Sequence, residues 1–218
     1  MKLISYLLDL LYPPKCAFCR ELIASEARGI CEPCRKRLPF TAKGGLQHGN
    51  FFTACVSPLY YEEEVRDALR RYKFHGVTAY QEPFGNLIAE CVAEYVTEPV
   101  DLISWVPLSR KRLRTRGYDQ ARLLAEQTAR QLGLTCLRVL EKGVDTAPQS
   151  LTGSAEKRIA NISGVYRVCS PEQVQGKTIL LIDDIVTTGS TFSECARMLG
   201  MAGAERVYCA ALARKRSE

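Results

Sequence analysis

The sequence predicts an α/β fold, with a mostly parallel sheet flanked by helices and a small cysteine-rich module in front of it. Apolar runs of strand length alternate with amphipathic segments of helix length along most of the chain, as expected for parallel strands joined by helices. The runs are continuously apolar, which is typical of strands covered on both faces. Two closely spaced cysteine pairs precede them.

The composition limits the size of this fold and allows several classes of partner. The 218 residues suffice for one medium domain and a small appendage. The net charge of +6 permits anionic partners such as phosphates or nucleic acid, although solvated lysines and arginines account for it equally well. No apolar run is long enough to cross a membrane, and we expect the protein to act in the cytoplasm.

Residues 1–11 predict a short amphipathic helix that packs on the rest of the protein. One helical face carries four apolar residues, Ile4, Leu7, Leu8 and Leu11. Asp9 interrupts the apolar stretch, and no small-residue cleavage site follows it, so a secretion signal is disfavoured.

Two cysteine pairs within residues 1–42 predict a structural zinc site. Cys16 and Cys19 form one Cys-x2-Cys pair, and Cys31 and Cys34 form the other. Each pair places two thiolates on a tight turn, so together they complete a four-thiolate tetrahedral shell. Four unligated cysteines and two disulfides are the alternatives, and the doubled spacing favours zinc.

The domain boundary is predicted in a glycine-rich, polar segment. Residues 41–50 are interpreted as a linker or loop. We therefore assign residues 1–42 to the N-terminal helix and the zinc ribbon, and residues 50–218 to the sheet domain.

The first half of the sheet domain is predicted to alternate strands and helices. A strand at 53–61 leads to a helix at 62–74, whose apolar residues share one face and which Gly76 ends. A second helix at 83–96 shows the same periodicity. The apolar run at 102–107, ended by a proline, predicts a buried strand.

The second half continues this alternation. A basic loop leads to a helix at 119–132, which Gly133 closes, and to a strand at 135–140. The polar stretch at 146–161 predicts an active-site lid, with an ordinary surface loop as an equal alternative. The remaining elements are a strand, a helix and a strand, at 177–182, 191–201 and 206–213.

Segment 179–191 places two acids and a hydroxyl-rich loop between a buried strand and a helix. Asp183 and Asp184 follow the strand, at the end where open α/β sheets bind ligands. Backbone N–H groups, hydroxyls and the helix N-terminus of the loop can hold a phosphate. The carboxylates suit vicinal sugar hydroxyls or a magnesium-bound ligand, while a capping aspartate before a polar turn is the alternative. The loop residues are Thr187, Thr188, Gly189, Ser190 and Thr191.

A second candidate site lies at residues 110–116, which carry five cations. A solvated basic loop is the simpler interpretation. Its expected position at the carboxyl end of a central strand, beside the hydroxyl-rich loop, suits a pyrophosphate site built from arginines such as Arg112 and Arg116. Gly117 would let the backbone approach a ligand closely.

The string 179–191 resembles, position for position, the phosphoribosyl-pyrophosphate (PRPP) binding signature of type I phosphoribosyltransferases. The resemblance implies that Asp183 and Asp184 bind the ribose 2- and 3-hydroxyls, and that residues 187–191 bind the 5-phosphate. It also implies that Mg²⁺ accompanies PRPP. The sheet domain is accordingly expected to have a type I phosphoribosyltransferase-like fold.

Nearly the whole chain resembles the ComF family (ComFC and GntX-like proteins), in which a zinc ribbon precedes such a domain. The resemblance implies substrate-binding roles for Arg116, Gly117 and Arg158, and the basic segment adds Arg112 as a candidate. Many members have asparagine where this chain has Asp119, so we expect a helix N-cap there rather than a phosphate contact. Besides the two cysteine pairs and the PRPP string, the matching marks are Pro13-Pro14-x-Cys16, Lys73-Phe74-x-Gly76, Val106-Pro107, Arg116-Gly117-Tyr118-Asp119-Gln120-Ala121, Pro148-Gln149, Arg158 and Asn161.

The resemblance implies a phosphoribosyltransferase of unknown acceptor that acts in natural competence, the uptake of single-stranded DNA. Asp183 and Asp184 are then its catalytic residues, and PRPP and pyrophosphate are its small-molecule partners. A protein that binds single-stranded DNA is one open alternative, since the zinc ribbon and the basic segments can contact a nucleic-acid backbone. A PRPP sensor without transferase activity is the other. Proteins of the competence machinery are further candidate partners.

Overall fold

The computed structural model describes residues 13–24, 27–143 and 165–216. The predicted helix at 1–11 and the predicted lid at 146–161 lie outside these ranges. The helices are α1 Glu32–Arg37, α2 Glu63–Phe74, α3 Gln81–Tyr95, α4 Arg110–Arg116, α5 Gln120–Leu132 and α6 Ser190–Met201. The strands are β1 Ala54–Val56, β2 Leu59–Tyr60, β3 Leu102–Trp105, β4 Thr135–Cys136, β5 Leu140–Lys142, β6 Tyr166–Val168, β7 Thr178–Val186 and β8 Arg206–Arg214.

A parallel sheet with strand order β1-β8-β7-β3-β4 forms the centre of the protein, and β2 also pairs with β8. The longest pairing joins β7 to β8, from Thr178 opposite Arg206 to Val186 opposite Arg214. Strands β5 and β6 form a separate antiparallel pair. The predicted α/β class with a mostly parallel sheet is therefore confirmed.

Both faces of this sheet are covered, which explains why its strands are continuously apolar. Leu180 and Ile182 of β7 belong to one hydrophobic core, together with residues of α2, α3 and α5. Ile179 and Leu181 belong to a second core, together with residues of α6, β5 and β6. All four side chains are fully buried, so a polar residue at any of them would lose its contact with water.

The four-cysteine module shares its core with helices α2 and α3. The ring of Phe18 lies in that core, 5.7 Å between centroids from the ring of Phe84 in α3. The Arg71 guanidinium of α2 donates hydrogen bonds of 2.9 and 2.8 Å to the carbonyl oxygens of Ala17 and Phe18. The module is therefore attached directly to the first helices of the sheet domain.

The segment interpreted as a linker or loop, residues 41–50, also packs on the sheet domain. A 3-10 turn at Ala42–Gly45 brings Gly44 against the ring of Tyr95. A Cβ atom on Gly44 would lie 2.4 Å from a carbon of that ring, so only glycine fits. The segment therefore connects the four-cysteine module to the sheet domain and packs against the latter. The domain boundary predicted within it stays a prediction.

Two of the predicted strands are interrupted in the structure. The strand predicted at 53–61 is split between β1 and β2 next to Pro58, which has no N–H group to donate to the sheet. The strand predicted at 135–140 leaves the main sheet after Cys136, and β5 pairs with β6 instead. This second pair lines part of the site described below.

The predicted helices at 62–74, 83–96, 119–132 and 191–201 are confirmed, with ends that differ by one or two residues. Helix α5 shows the predicted end, since Gly133 adopts the left-handed backbone that a helix C-cap requires, at φ 67°. No helix within the described ranges is long and apolar enough to span a membrane.

Candidate functional site

The two acids lie within β7 rather than after it. The sequence predicts a strand end at residue 182, but β8 continues alongside β7 as far as Arg214, and the pairing extends to Val186. Asp183 is half-buried, and Asp184 is only 4% exposed. The Asp183 Oδ1 atom accepts a 2.8 Å hydrogen bond from the Asp184 amide. Sheet pairing therefore fixes the backbone that carries both carboxylates.

The hydroxyl-rich loop connects β7 to the N-terminus of α6. The Thr188 Oγ1 and Ser190 Oγ atoms lie 2.6 Å apart, and Thr188 Oγ1 also accepts a hydrogen bond from the Ser190 amide. Gly189 has a φ of 77°, and a Cβ atom there would lie 3.1 Å from the Gln47 side-chain nitrogen. The loop therefore needs glycine at this position for both backbone conformation and space.

The basic segment forms the helix α4 and is not the predicted loop. The Ser109 hydroxyl caps its first turn by accepting a 3.3 Å hydrogen bond from the Arg112 amide. Gly117 ends it at a φ of 82°, with no atom within 4 Å of the position of a Cβ. Backbone conformation, rather than close approach of another group, is what requires glycine there. The helix places Arg112 and Arg116 one turn apart on one face.

These elements surround a cavity of about 290 Å³, which we call the central cavity. The acid pair, the loop at 187–191, Arg112 and Arg116 all line it, whereas Gly117 does not. Arg158 lies outside the described residues. The cavity is also lined by residues that the sequence analysis does not assign to a site: Lys73, Phe74, Gln120, Lys142 and Tyr166.

Among the cavity residues that the sequence does not predict, Lys73 makes the closest contact with the acid pair, Asp183 and Asp184. Its Nζ atom lies 2.6 Å from Asp184 Oδ2. Burial raises the pKa of Asp183 well above its usual range, the neighbouring Asp184 carboxylate raises that pKa further, and the Lys73 ammonium opposes both effects. In the sequence, Lys73 stands out only as part of the Lys73-Phe74-x-Gly76 motif, which does not predict its contact with Asp184.

Arg116 and Phe74 contact each other at the cavity. The Arg116 guanidinium carbon lies 5.0 Å from the centroid of the Phe74 ring, within the range of a cation–π contact. The same guanidinium donates a hydrogen bond to the Gln120 side-chain oxygen. Phe74 is 68% exposed, so these contacts orient Arg116 at the edge of the cavity that is open to solvent.

The β5–β6 pair contributes a lysine and a tyrosine to the cavity. The Lys142 Nζ atom donates a 3.3 Å hydrogen bond to the Tyr166 hydroxyl, and it lies 5.0 Å from the centroid of that ring. Burial raises the pKa of Tyr166, so the phenol is neutral at physiological pH. Sequence reasoning misses both residues because it keeps the strand before Lys142 in the main sheet.

Asp119 acts as the predicted N-cap of α5. Its Oδ1 atom accepts hydrogen bonds of 3.2 and 3.3 Å from the amides of Ala121 and Arg122. Its Oδ2 atom accepts a 3.1 Å hydrogen bond from the Leu108 amide. Asp119 does not line the central cavity, so its role is to hold the segment before α4 against the start of α5.

The four cysteines of the N-terminal module converge on one point. The sulfur atoms of Cys16, Cys19, Cys31 and Cys34 all lie within 4.8 Å of one another. Burial opposes ionisation of Cys16, but hydrogen bonds from backbone N–H groups, including that of Cys31, outweigh it and lower the pKa to about 7. Four thiolates at these separations fit the tetrahedral shell of a structural zinc ion, with no open position for catalysis.

A basic groove of about 750 Å³ lies where this module meets helix α2, and we call it the ribbon groove. His75 lines it, while the preceding residue, Phe74, lines the central cavity. The end of α2 therefore contributes to both cavities. The basic side chains that line the ribbon groove are Lys15, Arg20, Arg28, Arg71 and His75.

Two family models match the chain. Residues 119–218 match the phosphoribosyl transferase domain, and residues 7–46 match the double zinc ribbon domain. The first match covers the acid pair, the hydroxyl-rich loop and α6, and the second covers the four-cysteine cluster. The predicted type I phosphoribosyltransferase-like fold with an N-terminal zinc ribbon is therefore confirmed.

Curated proteins are similar to this chain over nearly its whole length. Competence protein F of Haemophilus influenzae is 25% identical over 221 residues, which cover 92% of this chain and 96% of that protein. DNA utilization protein YhgH of Salmonella typhi is 28% identical over 222 residues, or 90% and 96% of the two chains. Competence protein ComFC of Streptococcus pneumoniae is 30% identical over 197 residues, or 90% and 80% of the two chains. The chain therefore belongs to the ComF family, in which a zinc ribbon precedes a phosphoribosyltransferase domain.

Proposed function

We propose that the central cavity binds PRPP together with Mg²⁺. The observation that carries this proposal is the meeting, in one cavity, of an acid pair, a hydroxyl-rich loop at a helix N-terminus and a helix face with two arginines. Each group matches a different part of PRPP. The volume of about 290 Å³ is close to the lower limit for small-ligand pockets, about 300 Å³.

The loop at 187–191 would bind the 5-phosphate. Thr187 and Thr188 are exposed at the cavity, and the loop leads directly into the N-terminus of α6. N–H groups and hydroxyls donate to phosphate oxygens, and the helix dipole favours the negative charge.

The acid pair would bind the ribose. Carboxylates accept hydrogen bonds and cannot donate them, so they suit the hydroxyls of a sugar and repel a phosphate. This places the phosphate groups of PRPP away from Asp183 and Asp184, toward the loop and the cations. The Lys73 ammonium beside Asp184 offsets part of the negative charge of the pair.

Arg112 and Arg116 would bind the pyrophosphate. Both line the central cavity from one face of α4, and guanidinium groups form paired hydrogen bonds with phosphate oxygens. When Mg²⁺ is bound with PRPP, it neutralises part of the diphosphate charge. Gly117 and Arg158 remain proposed substrate contacts through the family resemblance alone.

We further propose a phosphoribosyl transfer from this site. An acceptor nucleophile forms a bond to C1 of the ribose, the bond from C1 to the pyrophosphate oxygen breaks, and pyrophosphate leaves with the electron pair. Arg112 and Arg116 would stabilise the charge that develops on the leaving group. Asp183 and Asp184 would orient the ribose hydroxyls beside the reacting carbon.

Calorimetric titration with PRPP and Mg²⁺ tests the binding proposal. Wild type is expected to bind, and the double variant Asp183→Asn with Asp184→Asn is expected to lose the binding heat. Asp67→Asn, an exposed aspartate on α2, is a control for the loss of one carboxylate. Absence of binding by the folded, zinc-loaded wild type would contradict the proposal.

An assay for pyrophosphate release distinguishes a phosphoribosyltransferase from a protein that only senses PRPP. Wild type incubated with PRPP, Mg²⁺ and a panel of nitrogen and oxygen nucleophiles is expected to release pyrophosphate with at least one of them. Binding of PRPP without release across the panel would instead support a PRPP-sensing protein.

A second candidate function is the binding of single-stranded nucleic acid along the ribbon groove. The groove presents exposed cations at Lys15, Arg20 and Arg28, and relatives carry names that refer to competence and DNA utilization. Cations spaced along a groove favour a chain of phosphates. Under this proposal the protein acts in DNA uptake in the cytoplasm, with competence-machinery proteins as partners.

Fluorescent single-stranded DNA, titrated at two salt concentrations, tests this second function. Arg28→Glu should weaken binding, and the affinity should fall steeply with salt. Arg130→Glu is a matched control, because Arg130 is exposed on α5 and does not line the groove. Equal losses in both variants would show that net charge alone, and not the groove, attracts DNA.

A further inference from the structure

The contact between Lys73 and Asp184 is unusually well shielded for an ion pair at a ligand cavity. The Lys73 Nζ atom lies 2.6 Å from Asp184 Oδ2, and the two side chains are 18% and 6% exposed. Within the part of the chain that the structure describes, this buried oxygen accepts no hydrogen bond, so the ion pair with Lys73 is its compensating contact. The lysine therefore supplies the charge compensation that a buried carboxylate requires.

The fold holds Lys73 in place for this contact. Lys73 lies in the last turn of α2, directly after Tyr72, and the apolar face of that helix is fully buried through Val65, Leu69 and Tyr72. The Tyr72 hydroxyl is itself bonded to the Gln120 carbonyl. Lys73 is thus anchored by a packed helix, unlike a lysine on a solvated loop.

We propose that Lys73 is a positioning residue that occupies the place beside Asp184 which a divalent cation would otherwise take. Carboxylate oxygens are preferred ligands of Mg²⁺. An ammonium group at 2.6 Å from the same oxygen repels a divalent ion and leaves it no room. The free protein therefore excludes the metal from its acid pair.

This exclusion determines how Mg²⁺ enters the site, an inference that rests on the proposed function. The metal arrives bound to the diphosphate of PRPP and stays with that end of the ligand, near Arg112 and Arg116. The acid pair is left to accept hydrogen bonds from the ribose. Lys73 also reduces the repulsion between the acids and an incoming polyanion.

Binding of Mn²⁺ to the PRPP-free, zinc-loaded protein, followed by electron paramagnetic resonance, tests the exclusion directly. Lys73→Met removes the charge and keeps most of the length of the side chain, so it is expected to bind Mn²⁺ at least about tenfold more tightly than wild type. Lys73→Arg restores a cation and is expected to bind Mn²⁺ as weakly as wild type. The double variant Lys73→Met with Asp184→Asn is expected to lose the new site.

Arg70→Met provides the matched control, because Arg70 is exposed on the same helix and the variant changes net charge by the same amount. It should bind Mn²⁺ like wild type. A Mn²⁺ site in the free wild type that Asp184→Asn abolishes would overturn the proposal. So would a folded Lys73→Met variant that gains no Mn²⁺ affinity.

Calorimetry with PRPP adds a second readout. Lys73→Met is expected to bind PRPP about tenfold more weakly than wild type, with a steeper dependence on Mg²⁺ concentration, and Lys73→Arg should recover most of the loss. An unchanged affinity and Mg²⁺ dependence in Lys73→Met would count against the positioning role. Failure of wild type to bind PRPP would contradict the proposed function alone, since the Mn²⁺ measurement contains no PRPP.

Discussion

The hydroxyl group of Tyr72 donates a 2.9 Å hydrogen bond to the carbonyl oxygen of Gln120, and so ties the end of α2 to the start of α5. Lys73, which pairs with Asp184, follows Tyr72 in the chain. Arg116 donates a hydrogen bond to the side chain of the same Gln120. One buried tyrosine therefore links the cation beside the acid pair to the arginine at the other candidate phosphate site.

Tyr72→Phe should lower both stability and ligand affinity. Loss of this buried hydrogen bond is expected to reduce the free energy of unfolding by about 1–2 kcal/mol, as measured by urea denaturation. PRPP should bind more weakly, because Lys73 and Gln120 are no longer held together. Tyr61→Phe, a half-buried position before α2, should change either quantity much less.

Gly189→Ala should damage the hydroxyl-rich loop. The backbone at φ 77° disfavours alanine, and its Cβ would lie 3.1 Å from the Gln47 side chain. We expect a loss of about 1 kcal/mol in unfolding free energy and weaker binding of PRPP by calorimetry.

Gly200→Ala is the matched control for that substitution. Gly200 lies in α6, the helix that follows Gly189, and a Cβ atom there would meet nothing within 4 Å. Alanine should therefore stabilise the helix, by up to about 1 kcal/mol, with PRPP affinity unchanged. A loss of stability in both variants would show that conformation at Gly189 is not the cause.

Removal of the metal site should destabilise the whole protein and not only the ribbon. Cys34→Ser is expected to lose bound zinc by elemental analysis, because a fully buried thiolate leaves the cluster. The unfolding free energy should fall by about 3 kcal/mol or more, since Phe18 and Phe84 belong to one core. Cys169→Ser, at an exposed cysteine, should keep both zinc and stability.

Asp119→Asn tests whether the Asp119 carboxylate caps backbone N–H groups or contacts the ligand. An amide has one acceptor oxygen, whereas Asp119 accepts from three backbone N–H groups through two oxygens. The unfolding free energy should fall by about 1–2 kcal/mol. PRPP affinity should change little, and a large loss of affinity without a loss of stability would indicate a direct ligand contact.

The raised pKa of Asp183 predicts a specific pH dependence for the PRPP-free protein. Burial, and then the charge of Asp184, raise this pKa above that of the unfolded chain, about 3.9. A raised carboxyl pKa contributes stability below the unfolded pKa, and that contribution is lost as the pH rises through the folded pKa. Ionisation of Asp183 therefore lowers the stability of the free protein.

Asp183→Asn should remove this effect. At neutral pH the variant is expected to be more stable than wild type by about 1 kcal/mol, and the difference should shrink as the pH falls toward about 4. Urea denaturation across that range measures it, with Asp67→Asn as an exposed control. A difference that does not vary with pH would contradict the argument.

The parts of the site that lie close together in the sequence could be predicted from it. Asp183, Asp184 and the loop at 187–191 are contiguous, and their strand–loop–helix context follows from local apolar patterning. Lys73, Lys142 and Tyr166 could not be placed, because each reaches the cavity only through long-range packing. Their position depends on how α2 and the β5–β6 pair are arranged around the sheet.

The helix α4 shows a different limit of sequence reasoning. A run of like charges without apolar periodicity predicts a loop at residues 110–116. The signals that favour a helix were present at its two ends, in Ser109 as N-cap and Gly117 as C-cap. Capping residues therefore carried more information here than the hydrophobic pattern.

The attachment of the four-cysteine module to α2 has a consequence for any shortened form of this protein. A chain that begins after residue 42 would leave the ring of Phe84 without its contact with Phe18. The Arg71 guanidinium would lose both of its carbonyl acceptors. The isolated sheet domain is thus expected to self-associate through the uncovered patch, and functional work on it requires the four-cysteine module as well.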